Sequence, residues 1–237
     1  MSRAPFLIVR TGTTKDAICV RHGDFAAWIR AAAGWSEAEA VEAAPYLGEE
    51  MPPPSGFAGA VLTGSPAMVT ERAPWMLALE DWLRRARDAS LPLLGICFGH
   101  QLLASAFGGR VGDHPRGMEL GTVEIELLPA AAEDPLLAGL PERFPAQATH
   151  AQSVLEPPPG AVVLARSAYE PCHALRFAPR CWGVQFHPEI GAAVMDGYKE
   201  CYRSEAQAGR LHIGFLGEPT RESPAAASVL RRFAAGA

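Results

Sequence analysis

The run Leu91-Pro92-Leu93-Leu94-Gly95-Ile96-Cys97-Phe98-Gly99-His100-Gln101 constrains the fold of this chain more than any other stretch. Its uninterrupted apolar part has the pattern of a strand buried on both faces of a sheet. A helix follows directly, from Phe98 to Phe107, and closes on Gly108-Gly109, a natural C-terminal stop. A cysteine flanked by glycines between a buried strand and a helix sits on a sharp turn. Its strained backbone leaves no room for neighbouring Cβ atoms, so the glycines are needed. The turn pushes the Cys97 thiol out at the carboxyl end of the strand. The next amides then point at whatever the thiol attacks.

The rest of the chain extends this pattern. Phe6 to Val9 reads as a short strand, and Asp24 to Ala33 as a helix with Phe25, Trp28, Ile29 and Ala32 on one face. Val41 to Leu47 is a strand candidate broken by Pro45, and Met51 to Gly56 is a proline-rich loop. Ala58 to Thr63 is a clear strand that leaves through Thr63-Gly64-Ser65-Pro66. Ala73 to Ala89 is a helix with Pro74 in its first turn and Trp75, Leu79, Trp82, Leu83 and Ala86 along one stripe. Strands alternating with helices imply parallel βαβ units.

From Arg110 the texture changes. Gly121 to Leu128 alternates as a half-buried strand does. Val162 to Arg166, His173 to Phe177 and Cys181 to Phe186 read as further strands, and a helix spans Gly191 to Ala208. The expectation is a single α/β domain over residues 1–217. Its central sheet is mostly parallel and flanked by helices, with an additional antiparallel strand region. Residues 218–237 are expected to form a C-terminal tail, with a short helix over Ser228 to Phe233 that frays into small residues. The active site belongs at the carboxyl ends of the central strands, where Cys97 emerges.

A second segment supplies the chemistry that Cys97 lacks. In Gly183-Val184-Gln185-Phe186-His187-Pro188-Glu189, His187 and Glu189 are two apart, so on an extended segment they face the same way. A thiol attacks a carbonyl as thiolate, and a free cysteine has a pKa of about 8.5 that a helix N-terminus and a histidine lower. Glu189 would hold the His187 imidazole in the right tautomer and stabilise its charged form. An oxyanion needs two preorganised N–H donors. Phe98, directly after the thiol, and Ser65, in the loop leaving a neighbouring strand, are the candidates. The reaction this suggests is acyl transfer: a thioester forms at Cys97, an amine leaves, and water cleaves the thioester.

Bulk properties exclude other classes. The formal net charge is −5 and lysine and arginine do not cluster, so a nucleic-acid surface is not expected. No apolar stretch reaches the roughly 18 residues of a membrane span. The start, MSRAPFLIVR, leads straight into a strand without the apolar core of a signal peptide. A cytoplasmic location is therefore expected. Five cysteines (Cys19, Cys97, Cys172, Cys181, Cys201) are irregularly spaced with no CxxC pair, so no structural metal site is expected. His22, His100, His114, His173 and His212 lack a setting like that of His187 and read as structural or surface residues.

Together GICFGHQ, TGSP and GVQFHPE resemble the class I glutamine amidotransferases of the triad type, over about Phe6 to Tyr198. The resemblance is strongest to the amidotransferase domain of GMP synthase and its free-standing relatives. It implies a flavodoxin-like fold and hydrolysis of the side-chain amide of glutamine, with Cys97, His187 and Glu189 as the triad. It implies that Gln101 and the Gly64 loop help hold the substrate, and that Thr149-His150-Ala151-Gln152-Ser153-Val154 is a loop bordering it, which adds His150 and Gln152. Ser65 stands where the family often has glycine, and only its backbone N–H is needed there.

The chain carries no Ser-Gly-Gly-Val-Asp-Ser pyrophosphate loop and no Gly-x4-Gly-Lys phosphate loop. By these motifs it does not activate an acceptor with ATP, and no cofactor is implied. Three readings follow. In the first, glutamine is hydrolysed and the ammonia passes to a separate synthase. In the second, a free-standing hydrolase or peptidase cuts γ-glutamyl compounds. In the third, the fold is kept as a silent binding module, which the intact triad argues against.

Overall fold

The structure is a computed structural model that describes residues 4–207 and 219–236. Its elements run in the order β1 (Phe6–Val9), α1 (Asp16–His22), α2 (Phe25–Ala33), β2 (Ala40–Ala43), β3 (Gly59–Leu62), α3 (Pro74–Asp88), β4 (Leu93–Ile96) and α4 (Phe98–Ala106). There follow β5 (Arg110–Asp113), β6 (Glu119–Leu127), β7 (Arg143–His150), β8 (Gln152–Glu156), β9 (Val162–Arg166), β10 (Ala174–Ala178), β11 (Cys181–Val184), α5 (Ala192–Gln207) and α6 (Pro224–Ala235). Nine strands form one sheet in the order β2-β1-β3-β4-β11-β10-β9-β6-β7, and β5 pairs with β8 apart from it. The first five of these strands pair in parallel. The rest of the sheet is antiparallel.

Both faces of the parallel part are covered, and strand alternation divides the core accordingly. Phe6 and Ile8 of β1 and Leu94 and Ile96 of β4 join the layer under α2 and α6. Leu7, Val9 and Leu93 join the layer under α3 and α4. The α3 stripe delivers Leu79, Trp82, Leu83 and Ala86 to that second layer. Trp82 satisfies its indole N–H on the Pro52 carbonyl at 2.6 Å, which pins the proline-rich loop. Pro45 ends β2 as the sequence suggests, and a short 3-10 turn, Pro45–Leu47, follows.

The structure departs from the sequence reading at its C-terminus. The segment read as a fraying tail carries α6, whose Ala226, Val229, Leu230 and Phe233 are buried in the main core. Phe233 lies against Phe6 and Trp182, with ring centroids 6.0 and 6.5 Å away. Small side chains let this helix sit close to α2 rather than loosening it. His212 and the boundary drawn at Gly217 lie outside the described residues.

The antiparallel part curls. β7 is the last strand of the sheet, yet its Gln147 carbonyl accepts the His187 N–H at 2.8 Å, just beyond β11. The Gln147 side chain donates to the Arg221 carbonyl at 2.7 Å. The strands after β11 thus roll round until the last returns to the chain that left the first.

Candidate active site

Cys97 lies between β4 and α4 with φ +50° and ψ −102°, a backbone conformation that a side chain normally avoids. The glycines around it are sterically obligatory. A Cβ at Gly95 would come within 2.4 Å of the Gly99 carbonyl, and one at Gly99 within 2.6 Å of Leu62 Cβ. The turn is held by a Cys97 N–H bond to the Val184 carbonyl at 2.8 Å. The thiol faces a cavity of about 290 Å³, near the roughly 300 Å³ lower end for small-molecule sites. Its Sγ is 3.7 Å from the Thr149 carbonyl.

His187 follows β11, the strand beside β4, and so arrives next to Cys97. Its Nδ1 lies 2.7 Å from Glu189 Oε1, with both side chains buried. Its Nε2 makes no well-formed hydrogen bond within the described residues. The ring is packed between Phe25, stacked at 6.2 Å, and Gly64, where a Cβ would come within 3.1 Å of His187 Cε1. Burial pushes the His187 pKa down, but Glu189 and Cys97 outweigh it and raise it to about 10. The imidazole therefore carries a proton at neutral pH.

The two candidate oxyanion donors occupy the cavity wall with Cys97. Phe98 is the first residue of α4, so its N–H is among those a helix leaves unpaired. The Ser65 hydroxyl is turned away, donating to the Thr11 carbonyl at 2.7 Å and accepting from Ala67 N–H at 3.1 Å. Thr11 in turn bonds Thr63 and the Gly64 carbonyl at 3.0 Å, which staples the loop after β3 to the loop after β1.

The residues expected around the substrate divide. Gln101, His150 and Gln152 line the cavity. Gly64 does not, because it makes room for the His187 ring instead. Gln101 donates from Nε2 to the Gln152 carbonyl at 2.7 Å and to Gln185 Oε1 at 3.0 Å. Gln152 donates to Thr70 Oγ1 at 2.7 Å and Asp113 Oδ1 at 3.0 Å. The segment read as a loop bordering the substrate is strand on both sides of Ala151.

Sequence reading missed the partners behind His150. His150 Nε2 lies 2.8 Å from Glu119 Oε2 and its Nδ1 2.9 Å from the Gln152 carbonyl. His173 Nε2 is 3.2 Å from the same Glu119 oxygen. His100 and His173, read as structural or surface, are fully buried. Burial first, then His173 and His150, push the His100 pKa down to about 3. Among the described residues, Glu119, His150 and His173 form the grouping whose donor atoms converge closely enough for a metal ion, within 4.8 Å of one another. The signal for Glu119 lay in strand register, which pairs it directly with His150.

Residues 39–198 match the family described as Glutamine amidotransferase class-I. The chain belongs to that family. The glutamine-hydrolysing GMP synthase of Aeropyrum pernix is 38% identical over 175 residues, 72% of this chain and 32% of that protein. A glutamine-hydrolysing GMP synthase subunit from Pyrococcus abyssi is 42% identical over 112 residues, 47% of this chain and 57% of the relative. This chain thus spans about a third of the first relative and just over half of the second. Crystal structures of glutamine amidotransferases share the fold. That from Thermotoga maritima superposes with a TM-score of 0.71 at 20% identity, covering 89% of this chain and 87% of that one. That from Methylobacillus flagellatus gives 0.71 at 23% identity, covering 98% and 92%. No helix among the described residues is long and apolar enough to cross a membrane.

Proposed function

We propose that this class I amidotransferase hydrolyses the side-chain amide of glutamine through Cys97, His187 and Glu189, and passes the ammonia to a separate acceptor enzyme. The observation that carries the reading is the convergence on one cavity of a thiol on a strained turn and an imidazole fixed by a carboxylate at 2.7 Å. The Cys97 sulfur attacks the amide carbonyl carbon, and the oxyanion is received by the N–H groups of Phe98 and Ser65. His187 gives its proton to the amide nitrogen, the C–N bond breaks, and ammonia leaves. The neutral ring then takes a proton from water, whose oxygen attacks the γ-glutamyl thioester. Collapse breaks the C–S bond and releases glutamate with Cys97 again a thiolate. Glu189 keeps Nδ1 protonated throughout and holds the ring in place.

The relatives from Pyrococcus abyssi and Thermococcus kodakarensis support the separate acceptor, since each is named as one subunit of a glutamine-hydrolysing GMP synthase. A second reading, cleavage of larger γ-glutamyl compounds, draws on the cavity wall. Met118, Tyr198, Tyr202 and Lys15 line it together with His187, which must sit beside the leaving nitrogen. A wall there offers contacts to a leaving group larger than ammonia.

Steady-state glutamate release from glutamine and from a γ-glutamyl dipeptide distinguishes the two. Slow release from both, with stoichiometric labelling of Cys97 by a glutamine-like electrophile, supports a site that waits for its acceptor. Fast dipeptide cleavage by the chain alone supports the second reading. With Cys97→Ser, turnover of either substrate should fall at least about a thousandfold, because the hydroxyl is a far weaker nucleophile at neutral pH. Substantial residual activity would remove Cys97 from the nucleophile's role.

A further inference from the structure

The cavity around Cys97 has two unlike ends. At one end the wall is polar: Gln101 bonds the Gln152 carbonyl and Gln185, and Gln152 bonds Thr70 and Asp113. At the other, on the His187 side, it is built of rings and a thioether. Phe25 stacks on the His187 ring at 6.2 Å. Phe25 also belongs, with Met118 and Tyr198, to a small apolar cluster separate from the two main layers, and half-buried Tyr202 packs against that cluster. All four side chains line the cavity.

The rings at this end are held in place by their neighbours. The Tyr198 hydroxyl is taken up by Thr14 Oγ1 at 2.5 Å, so what Tyr198 offers the cavity is its ring. Tyr202 stacks on Tyr198 with ring centroids 6.4 Å apart, and Lys15 Nζ lies 4.4 Å from the Tyr202 centroid. Tyr198 and Tyr202 are carried by α5, which packs against α1. Phe25 and Tyr202 stand outside residues 39–198, the stretch that matches the family. Half of this wall therefore comes from segments beyond the matched stretch.

We propose that this wall is a leaving-group subsite, which seats an aromatic group carried by the amine of a γ-glutamyl amide and so selects γ-glutamyl conjugates of arylalkyl amines. The inference rests on the reading that larger γ-glutamyl compounds are cleaved, and it names their class. His187 protonates the leaving nitrogen, so a substituent on that nitrogen lies on the His187 side of the thiol, where Phe25 places the apolar cluster. The bonds are those of glutamine hydrolysis. The Cys97 sulfur bonds the carbonyl carbon, the C–N bond breaks, and the nitrogen takes the His187 proton and departs as a primary amine. Water then cleaves the thioester. Ammonia is small and strongly hydrated and gains nothing from an apolar wall. An aromatic ring seated there leaves water and meets other rings in stacked or edge-on contact.

The test compares γ-glutamyl phenethylamide with γ-glutamyl ethylamide, followed as amine release by the purified full chain. Both leaving groups are primary alkylamines, and they differ by the phenyl ring. The wild-type kcat/KM should favour the phenethylamide at least about tenfold, the lower end for an added apolar group filling a pocket. Tyr202→Ala should bring that ratio close to one. Tyr202→Phe should keep it, because the ring and not the hydroxyl makes the contact. A wild-type ratio near one, with both amides cleaved, overturns the proposal and leaves the broader γ-glutamyl reading standing. A ratio that survives in a folded Tyr202→Ala protein also overturns it. If neither amide is turned over, protection of Cys97 from iodoacetamide reads the same preference as a ratio of Kd values. Tighter protection by the phenethylamide then upholds the subsite while the hydrolase reading fails, and equal or absent protection overturns the subsite as well.

Discussion

The parallel and antiparallel halves of the sheet contribute to the site in different ways. The parallel half positions the proposed reacting groups by backbone geometry. β4 ends in the strained turn at Cys97, and β11, its neighbour, leads to His187 and Glu189. Position is fixed there by close approach, since Gly95 and Gly99 tolerate no Cβ. The antiparallel half positions the proposed substrate wall by side-chain hydrogen bonding. Gln152, His150 and Glu119 are fixed by a network that ties β6 and β7 of this half to the separate β5–β8 pair. The first half should therefore govern the rate of bond breaking, and the second the grip on the substrate and the electrostatic field around it.

The largest expected effect tests the first half. Glu189→Gln should fold normally, because the amide has the same shape, yet lower kcat by about 10⁴ through the wrong imidazole tautomer. Near-normal kcat would show that another group orients His187. A stability effect tests whether α6 belongs to the parallel half's core. Phe233→Ala should cost about 3–5 kcal/mol, the range for truncating a buried aromatic, as read by urea unfolding. A cost near zero would restore the fraying tail. A smaller effect tests the second half. Gln152→Ala loses the bonds to Thr70 and Asp113 and should raise KM for glutamine about tenfold, or about 1.4 kcal/mol, with little change in kcat. A drop in kcat instead would erase the division between the halves.

A further effect depends on pH. The His187 pKa is raised in the folded protein to about 10 from an ordinary value of about 6.5. The stability it contributes is complete below about pH 6.5 and fades as pH rises through the folded value. The difference in unfolding free energy between wild type and His187→Gln should shrink from pH 6 to pH 10.5. A constant difference would mean that His187 is not held charged.

The two halves also differ in how much of them can be read from sequence. β1, β3 and β4 are continuous apolar runs, so each announces itself locally. Cys97, His187 and Glu189 are legible for the same reason, because each motif is contiguous and chemically unusual. β7 is not: it holds Pro145 and three alanine or glutamine positions where a strand normally shows branched or aromatic residues. Its existence is decided by pairing with β6. α1 escapes a reading of the sequence because only Ile18 is buried while Val20 stands 87% exposed, which leaves no apolar stripe to detect. Glu119 became meaningful only through its register with His150, since the two are separated by most of β6, β7 and the chain between them.

The curl that brings β7 back to His187 also bears on how this protein behaves in a crowd. The last strand of a sheet is a template on which another chain can add. In the main sheet β7 meets its own chain at Gln147, so that margin is partly occupied from within. The opposite margin, β2, is four residues long, and its outward Glu42 pairs with Arg10 at 3.4 Å and with Arg30. A chain seeking to extend this sheet finds one margin folded inwards and the other short and charged, which favours copies that stay apart over copies that join strand to strand.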